Sequence, residues 1–424
     1  MTLASLAAWA EPPEAAKLYA QHCASCHGAE RLGGMGPALL PENLARLRKT
    51  DAVAMLLDSR PGVQMPAFRA LLARDEIERL AEWIYTPIHP TPTWDDAAIR
   101  ASRIVLHAPG TLPAKPKFDA DPVNLFIVVE GGDHHVSILD GDRLEPIARF
   151  ASRYALHGGP KFTPDGRYVF FASRDGWITK YDLWNLAIVA EVRAGINTRN
   201  AAVSSDGKYV MVANYLPHTL VLLDAELQLV KTIAVLDASG KKSSRVSAVY
   251  DAAPRKSFVA ALKDVPELWE ISYDPAAPEI PVGLVHDYQY KEGAFVPGYL
   301  NLRRTVLDEI LDDFFFTPDY RELMGTARGG RLGQVVQLDV RRRIAQIELP
   351  GLPHLGSGIT WTWQGRQVLA TPNLREGLVS VIDVRDWKVV RQVPTLGPGF
   401  FLRSHENSRY AWVDSMMSRE YKDT

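Results

Sequence analysis

The sequence predicts a small α-helical domain followed by an all-β propeller, and three observations carry that prediction. The first 86 residues hold a cysteine pair flanked by apolar residues at helical spacing. A proline-rich stretch containing Pro87, Pro90 and Pro92 then forbids continuation of the helix. Beyond about residue 120 the chain turns into short β-rich runs that repeat about every 42 residues, a length that suits a four-stranded propeller blade.

At 424 residues the chain exceeds what one ordinary core supports, so two domains or one large repetitive one are expected. A hydrophobic content of 46% with 23% charged residues describes a globular protein with ample core. The formal net charge of −2, without a basic run, gives no reason to expect a nucleic acid partner. No apolar stretch approaches the roughly 20 residues that a membrane helix needs. The opening "MTLASLAAWAEPPEA" ends a short apolar run in Ala-Trp-Ala, so residues 1–10 read as the remnant of a secretory signal.

The first domain spans residues 11–86. "EAAKLYAQHCASCHGAE" leads a helical pattern into the cysteines, and "RDEIERLAEWIYTP" places Ile77, Leu80, Ala81 and Ile84 on one helical face. Residues 87–120 read as a stiff extended linker. Cys23 and Cys26 are the only cysteines of the protein, and His27 follows directly. This is the attachment pattern of a covalent c-type haem. Two thiols one helical turn apart can reach the two vinyl groups on one edge of a porphyrin, and the next residue can turn its imidazole to the iron. A redox dithiol would not need the histidine, and a zinc site would want a second ligand pair. Met65, in "PGVQMPAF", is the expected sixth ligand, with Met35 in "LGGMGPAL" as competitor. A thioether opposite an imidazole suits electron transfer.

Residues 121–424 form the second domain. Each unit runs through a small-residue start, a "DG" turn, an apolar strand, and a strand that closes on an aspartate: Asp140, Asp182, Asp224, Asp339 and Asp383. These aspartates and the "DG" pairs are read as turn chemistry that defines architecture. About six blades are complete by residue 395 and a seventh has begun when the sequence stops, so the propeller is expected to be truncated. Three histidines lie at blade starts: His157 in "RYALHGGPKF", His354 in "GLPHLGSGITW" and His405 in "FFLRSHENSRY". Blade starts line a propeller channel, so these imidazoles could converge. Arg174, Arg199 and Lys263 recur at related places, and together they suit a polyanionic planar ligand.

A CxxCH domain, a proline linker and a propeller with these histidines resemble the cytochrome cd1 family, over nearly the whole sequence from about residue 14. That family comprises the haem d1 nitrite reductases and their relatives in d1 haem biosynthesis. The resemblance implies an eight-bladed propeller holding d1 haem, and maturation in the periplasm. It makes His157, in "RYALHGGPKFTPDGRY", the axial ligand of the d1 iron, and puts Arg174 and Arg199 near the tetrapyrrole carboxylates. "PHLGSG" resembles the loop carrying one of two distal histidines of the reductases, which gives His354. Where the second is expected, this sequence offers Asp312, in "LDDFFFTPDYRELMGTA". The broken pair disfavours nitrite reduction. His405, in "FLRSHENSRYAWVDSMM", lies in a segment similar to the branch of the family that dehydrogenates dihydro-haem d1.

The expectation is therefore an oxidoreductase that turns a propionate of dihydro-haem d1 into an acrylate. His157 would bind the iron, His405 helped by His354 would take the protons of that propionate, and Arg174, Arg199 and Lys263 would orient carboxylates. Electrons would pass to haem c and on to a periplasmic acceptor, and the product would pass to a cd1 nitrite reductase. A nitrite reductase, a non-catalytic d1 carrier and an electron-transfer cytochrome with an interaction propeller remain the alternatives.

Overall fold

The computed structural model describes residues 13–45, 47–59, 65–287, 292–326, 332–404 and 409–421. The protein folds as two compact units: Met1–Pro160 with Gly166–Thr198, and Lys161–Asp165 with Arg199–Thr424. No helix among the described residues is long and apolar enough to cross a membrane.

The first unit opens with helices α1 (Glu14–His22), α2 (Ala24–His27), α3 (Pro41–Leu44), α4 (Lys49–Asp58) and α5 (Arg74–Ile84). Ile77, Leu80, Ala81 and Ile84 of α5 are all buried, on the face that their spacing predicts. They pack with Tyr19, Leu56, Phe68 and Leu72 into one core. Glu76 accepts from the Ala73 N–H at 2.7 Å, which caps the start of α5. Arg31 is also buried: it donates to the carbonyls of Trp83 and Thr86 at 2.8 and 2.9 Å and lies 4.4 Å over the Trp83 ring.

The segment expected to be an extended linker has structure of its own. Asp95 accepts from the Ala98 N–H at 2.8 Å and starts α6 (Asp96–Ser102). Ile104–Val105 then pairs antiparallel with Ala187–Arg193, on the outer edge of a sheet that also contains Trp177–Asp182 and Tyr168–Ala172. A three-stranded sheet, Leu125–Glu130, His135–Asp140 and Pro146–Ala151, precedes it.

Arg193 joins the helical part of this unit to the sheet. Its Nε donates to the Asp175 carbonyl at 2.9 Å, and its guanidinium donates to the Leu32 carbonyl in the loop after α2. The Trp94 ring lies 4.7 Å from the guanidinium, and Trp94 Nε1 donates to the Arg193 carbonyl at 2.7 Å. The Asp175 carboxylate is buried beside it and receives the Ser173 hydroxyl.

The second unit is a run of four-stranded antiparallel meanders. Among its described residues the first comprises Asn197–Val203, Tyr209–Leu216, Thr219–Asp224 and Leu229–Ala234. The next is Val246–Ala252, Ser257–Leu262, Glu267–Ser272 and Leu302–Val306, with the hairpin Ile280–Asp287 and Glu292–Val296 inserted before its last strand. Asp313–Phe316, Glu322–Thr326, Leu332–Gln337 and Arg342–Glu348 make the third, and Ile359–Trp363, Arg366–Pro372, Leu378–Asp383 and Lys388–Pro394 the fourth. Leu402–Arg403 and Trp412–Val413 form a further pair. These are propeller-type sheets. Their inner strands are buried on both faces: all six residues of Ser257–Leu262 are buried, because a neighbouring sheet covers each side.

Asp140, Asp182, Asp224 and Asp383 are turn acceptors, whereas Asp339 instead takes the Arg255 guanidinium at 2.6 Å. Asp224 takes the N–H groups of Glu226 and Gln228 at 2.9 and 2.8 Å, and Asp383 takes that of Arg385 at 2.9 Å. Gly207, in the "SSDGKY" turn, has φ +70°, a conformation that excludes most other residues.

Asp175 supplies a stability test. Burial raises its carboxyl to about 7, with Arg193 opposing. An acid whose folded pKa is raised destabilises the fold progressively as pH rises from its unfolded value near 4 to about 7. Asp175→Asn is expected to stabilise the protein by about 1–3 kcal/mol at pH 8, less at pH 5, and not at all near pH 3, measured by chemical denaturation.

Candidate functional site

Two sites lie in the first unit and one in the second. At the CxxCH site, His27 is buried on the short helix α2. Its Nδ1 donates to the Pro37 carbonyl at 2.8 Å, which fixes the tautomer and leaves Nε2 as the available ligand. Loop residues fold back to hold it: Gly33 N–H donates to the His27 carbonyl and Gly36 N–H to that of Cys26, both at 2.9 Å. A Cβ on Gly36 would lie 2.9 Å from His27 Nδ1, so the ring rests on bare backbone. Cys23 and Cys26 are free thiols with partial exposure, and burial raises the Cys23 thiol to about 11. Met65 packs against the same core as Cys23, whereas Met35 is 71% exposed. This donor set fits a haem of c type: an oriented imidazole, two available thiols and a packed thioether.

In the same unit His157 lies on a glycine-rich turn, and its N–H donates to the Ala172 carbonyl at 2.8 Å. Arg174 belongs to the adjoining turn: its N–H donates to the Ala155 carbonyl at 3.1 Å and its guanidinium to the Thr198 carbonyl at 3.3 Å. The bridge between Leu156 and Ser173 therefore brings His157 and Arg174 together.

The second unit gathers charged groups around Asp313. Tyr250 donates its hydroxyl to Asp313 Oδ1 at 2.8 Å, and His354 Nε2 lies 3.7 Å from Oδ2. Burial, then the Asp313 charge, holds the Tyr250 phenol protonated, so its oxygen is the donor. Lys161, Arg199 and Arg403 all interact electrostatically with Asp313. Burial and then the charge of Arg403 bring the Lys161 ammonium down to about 8. Arg199 is anchored by donation to the Ser247 carbonyl at 2.9 Å.

His354 is set as precisely oriented imidazoles are, through its other nitrogen. Nδ1 donates to the Phe400 carbonyl at 2.7 Å and lies 3.0 Å from Ser357 Oγ, which leaves Nε2, 3.7 Å from Asp313 Oδ2, with its lone pair. Burial lowers its pKa, with Asp313 opposing, so the resting ring is neutral. A Cβ on Gly356 would collide with the Asp313 carboxylate and the Tyr250 hydroxyl, so the "HLGSG" loop needs glycine there.

Lys263 is ion-paired with Asp312, so it is not an unopposed cation. His405 lies outside the described residues. Sequence reasoning missed Asp313, Tyr250, Lys161 and Arg403. A signal existed for Asp313: Phe314 is buried in the core, so period-2 alternation puts Asp313 and Phe315 on the opposite face.

Comparison with known proteins assigns both parts of the molecule. The "Cytochrome D1 heme domain" family model matches residues 120–424. The chain belongs to this family. Residues 10–84 match the model "Cytochrome C oxidase, cbb3-type, subunit III". Within the family, the sequence is 53% identical to a dihydro-heme d1 dehydrogenase of Pseudomonas aeruginosa, over 100% of its own length and 81% of that protein's. It is 26% identical to a nitrite reductase of Stutzerimonas stutzeri, covering 97% and 76% of the two proteins. The solved structure of the dihydro-heme d1 dehydrogenase NirN in complex with DHE superposes with a TM-score of 0.84 at 53% identity, over 95% of the present protein and 82% of that one.

The cradle at His27 is testable. Gly36→Ala is expected to displace the imidazole and lower the haem absorbance per molecule several-fold. Gly131→Ala, where a Cβ meets nothing within 4 Å, is expected to leave it unchanged.

Proposed function

We propose that this protein is a dihydro-haem d1 dehydrogenase that oxidises a propionate side chain of its tetrapyrrole substrate to an acrylate. The observation that carries the reading is 53% identity along the whole sequence to an enzyme of that activity. The neutral imidazole beside a half-buried carboxylate supports it, because the reaction must remove two protons from carbon.

In this reading His157 holds the substrate iron, and Arg174 and Arg199 receive substrate carboxylates. Lys263 can do so only in competition with Asp312. His354 offers Nε2 as a proton acceptor, and His405 is the second acceptor in this reading. Two C–H bonds break, one C=C bond forms, two protons go to imidazoles, and two electrons leave one at a time.

In the first unit Cys23 and Cys26 would tether haem c by thioether bonds, with His27 and Met65 as ligands. When bound, that group supplies one-electron transfer toward an external acceptor. Covalent haem c implies maturation in the periplasm, and the product would be handed to a cd1 nitrite reductase, which uses d1 haem in denitrification.

Dihydro-haem d1 added to the haem-c-loaded protein is expected to convert to the d1 spectrum with reduction of haem c. His405→Ala is expected to bind the substrate and lose at least about tenfold in rate. Binding without conversion by the parent protein overturns the dehydrogenase reading. Haem c is also expected to stay on the polypeptide through denaturing electrophoresis, and to be lost when both Cys23 and Cys26 are replaced by Ser.

A further inference from the structure

The cluster in the second unit holds a carboxylate to which no role has been given. Asp313 is anchored by the Tyr250 hydroxyl at 2.8 Å, flanked by Lys161, Arg199 and Arg403, and faces His354 Nε2 at 3.7 Å. We propose that Asp313 is a positioning residue for His354: it holds the charge of the imidazolium that forms when Nε2 accepts a substrate proton. The inference rests on the dehydrogenase reading and adds to it the group that makes His354 a usable base.

The geometry favours this role over direct proton abstraction by Asp313. Its two oxygens are already assigned, Oδ1 to the phenol and Oδ2 toward the imidazole, and its neighbours are cations that want an anion. His354, in contrast, has one nitrogen fully used by Phe400 and Ser357 and the other available. At 3.7 Å the pair is too long for a hydrogen bond in the resting state, as expected while the ring is neutral. Protonation of Nε2 turns the same approach into an ion pair, and a carboxylate already fixed by its surroundings need not reorganise to form it. Without Asp313, a proton on His354 would face Arg199 and Arg403, both of which oppose its charge. The balance is that of the overall reaction: a C–H bond of the substrate propionate breaks, its proton goes to Nε2, and the electrons leave singly to haem c and the external acceptor.

The groups facing the imidazole are thus Asp313, Arg199 and Arg403, with Tyr250 and Lys161 behind Asp313 and the Asp312–Lys263 pair near Arg199. A base works in its neutral form, so the acid limb of the kcat/KM profile follows its pKa. Asp313→Asn keeps the size and removes the charge, which lowers that pKa. The expected result is unchanged substrate affinity within about threefold, kcat lower by about 10- to 100-fold, and an acid limb displaced to lower pH. NMR titration of the His354 ring in the full-length protein, assigned with His354→Gln, reads the same displacement without turnover.

Tyr250→Phe is the second variant: it frees the carboxylate of its phenol, and the ring titration is expected to move to higher pH. Should Asp313→Asn fail to fold, that upward movement decides the matter. An imidazole titration unmoved in the folded variants overturns the role of Asp313. Failure of the parent protein to convert dihydro-haem d1 overturns the dehydrogenase reading instead, while the ring titration still tests the pair.

Discussion

Holding one carboxylate among three cations organises the second unit, because none of these groups can lie half-buried without a counterpart. Asp313 meets that need from the first residue of an edge strand, Asp313–Phe316, whose next residue is locked in the hydrophobic core. Strand packing therefore sets where the charge sits. Gly356 lets the next sheet's loop approach the carboxylate, and the same loop brings His354. Asp414 accepts the N–H of Phe400 at 3.0 Å, which steadies the carbonyl that orients the imidazole. Residues from five parts of the sequence, Lys161, Arg199, Tyr250, His354 and Arg403, meet at one anion, so its position depends on the fold of several sheets together.

The two units use one device for two ends. His27 and His354 both donate Nδ1–H to a backbone carbonyl, of Pro37 and of Phe400, and both present Nε2. In the first case the freed nitrogen suits a metal, because two free thiols adjoin it in sequence and Met65 packs against the same core as Cys23. In the second it faces a carboxylate and suits a proton. The difference lies in what stands opposite Nε2, not in how the ring is held.

Local chemistry was legible in the sequence because it is contiguous. Cys23, Cys26 and His27 sit within five residues and read as one motif, and the α5 face and the blade repeat follow from periodicity. What depends on register was not legible. Asp312 and Asp313 are neighbours, yet one pairs with Lys263 and the other faces His354, and only the burial of Phe314 tells them apart. Tyr250 and Lys161 reach the cluster from distant parts of the sequence, with no local pattern to announce them. In the proline-rich linker, the Asp95 cap and the run "DAAIRAS" were a readable helix start, overshadowed by the prolines before them.

Arg193 gives the first unit a consequence for how it can be divided. The loop it holds falls within residues 10–84, the stretch shared with an independent cytochrome family, while Arg193 itself belongs to the propeller sequence. The Leu32 carbonyl is thus satisfied by a side chain from outside that stretch. Cut away from the strand that carries Arg193, the helical part would leave that carbonyl and the Trp94 ring without their partner. The smallest piece that keeps this contact therefore runs past the helices and includes the strand Ala187–Arg193.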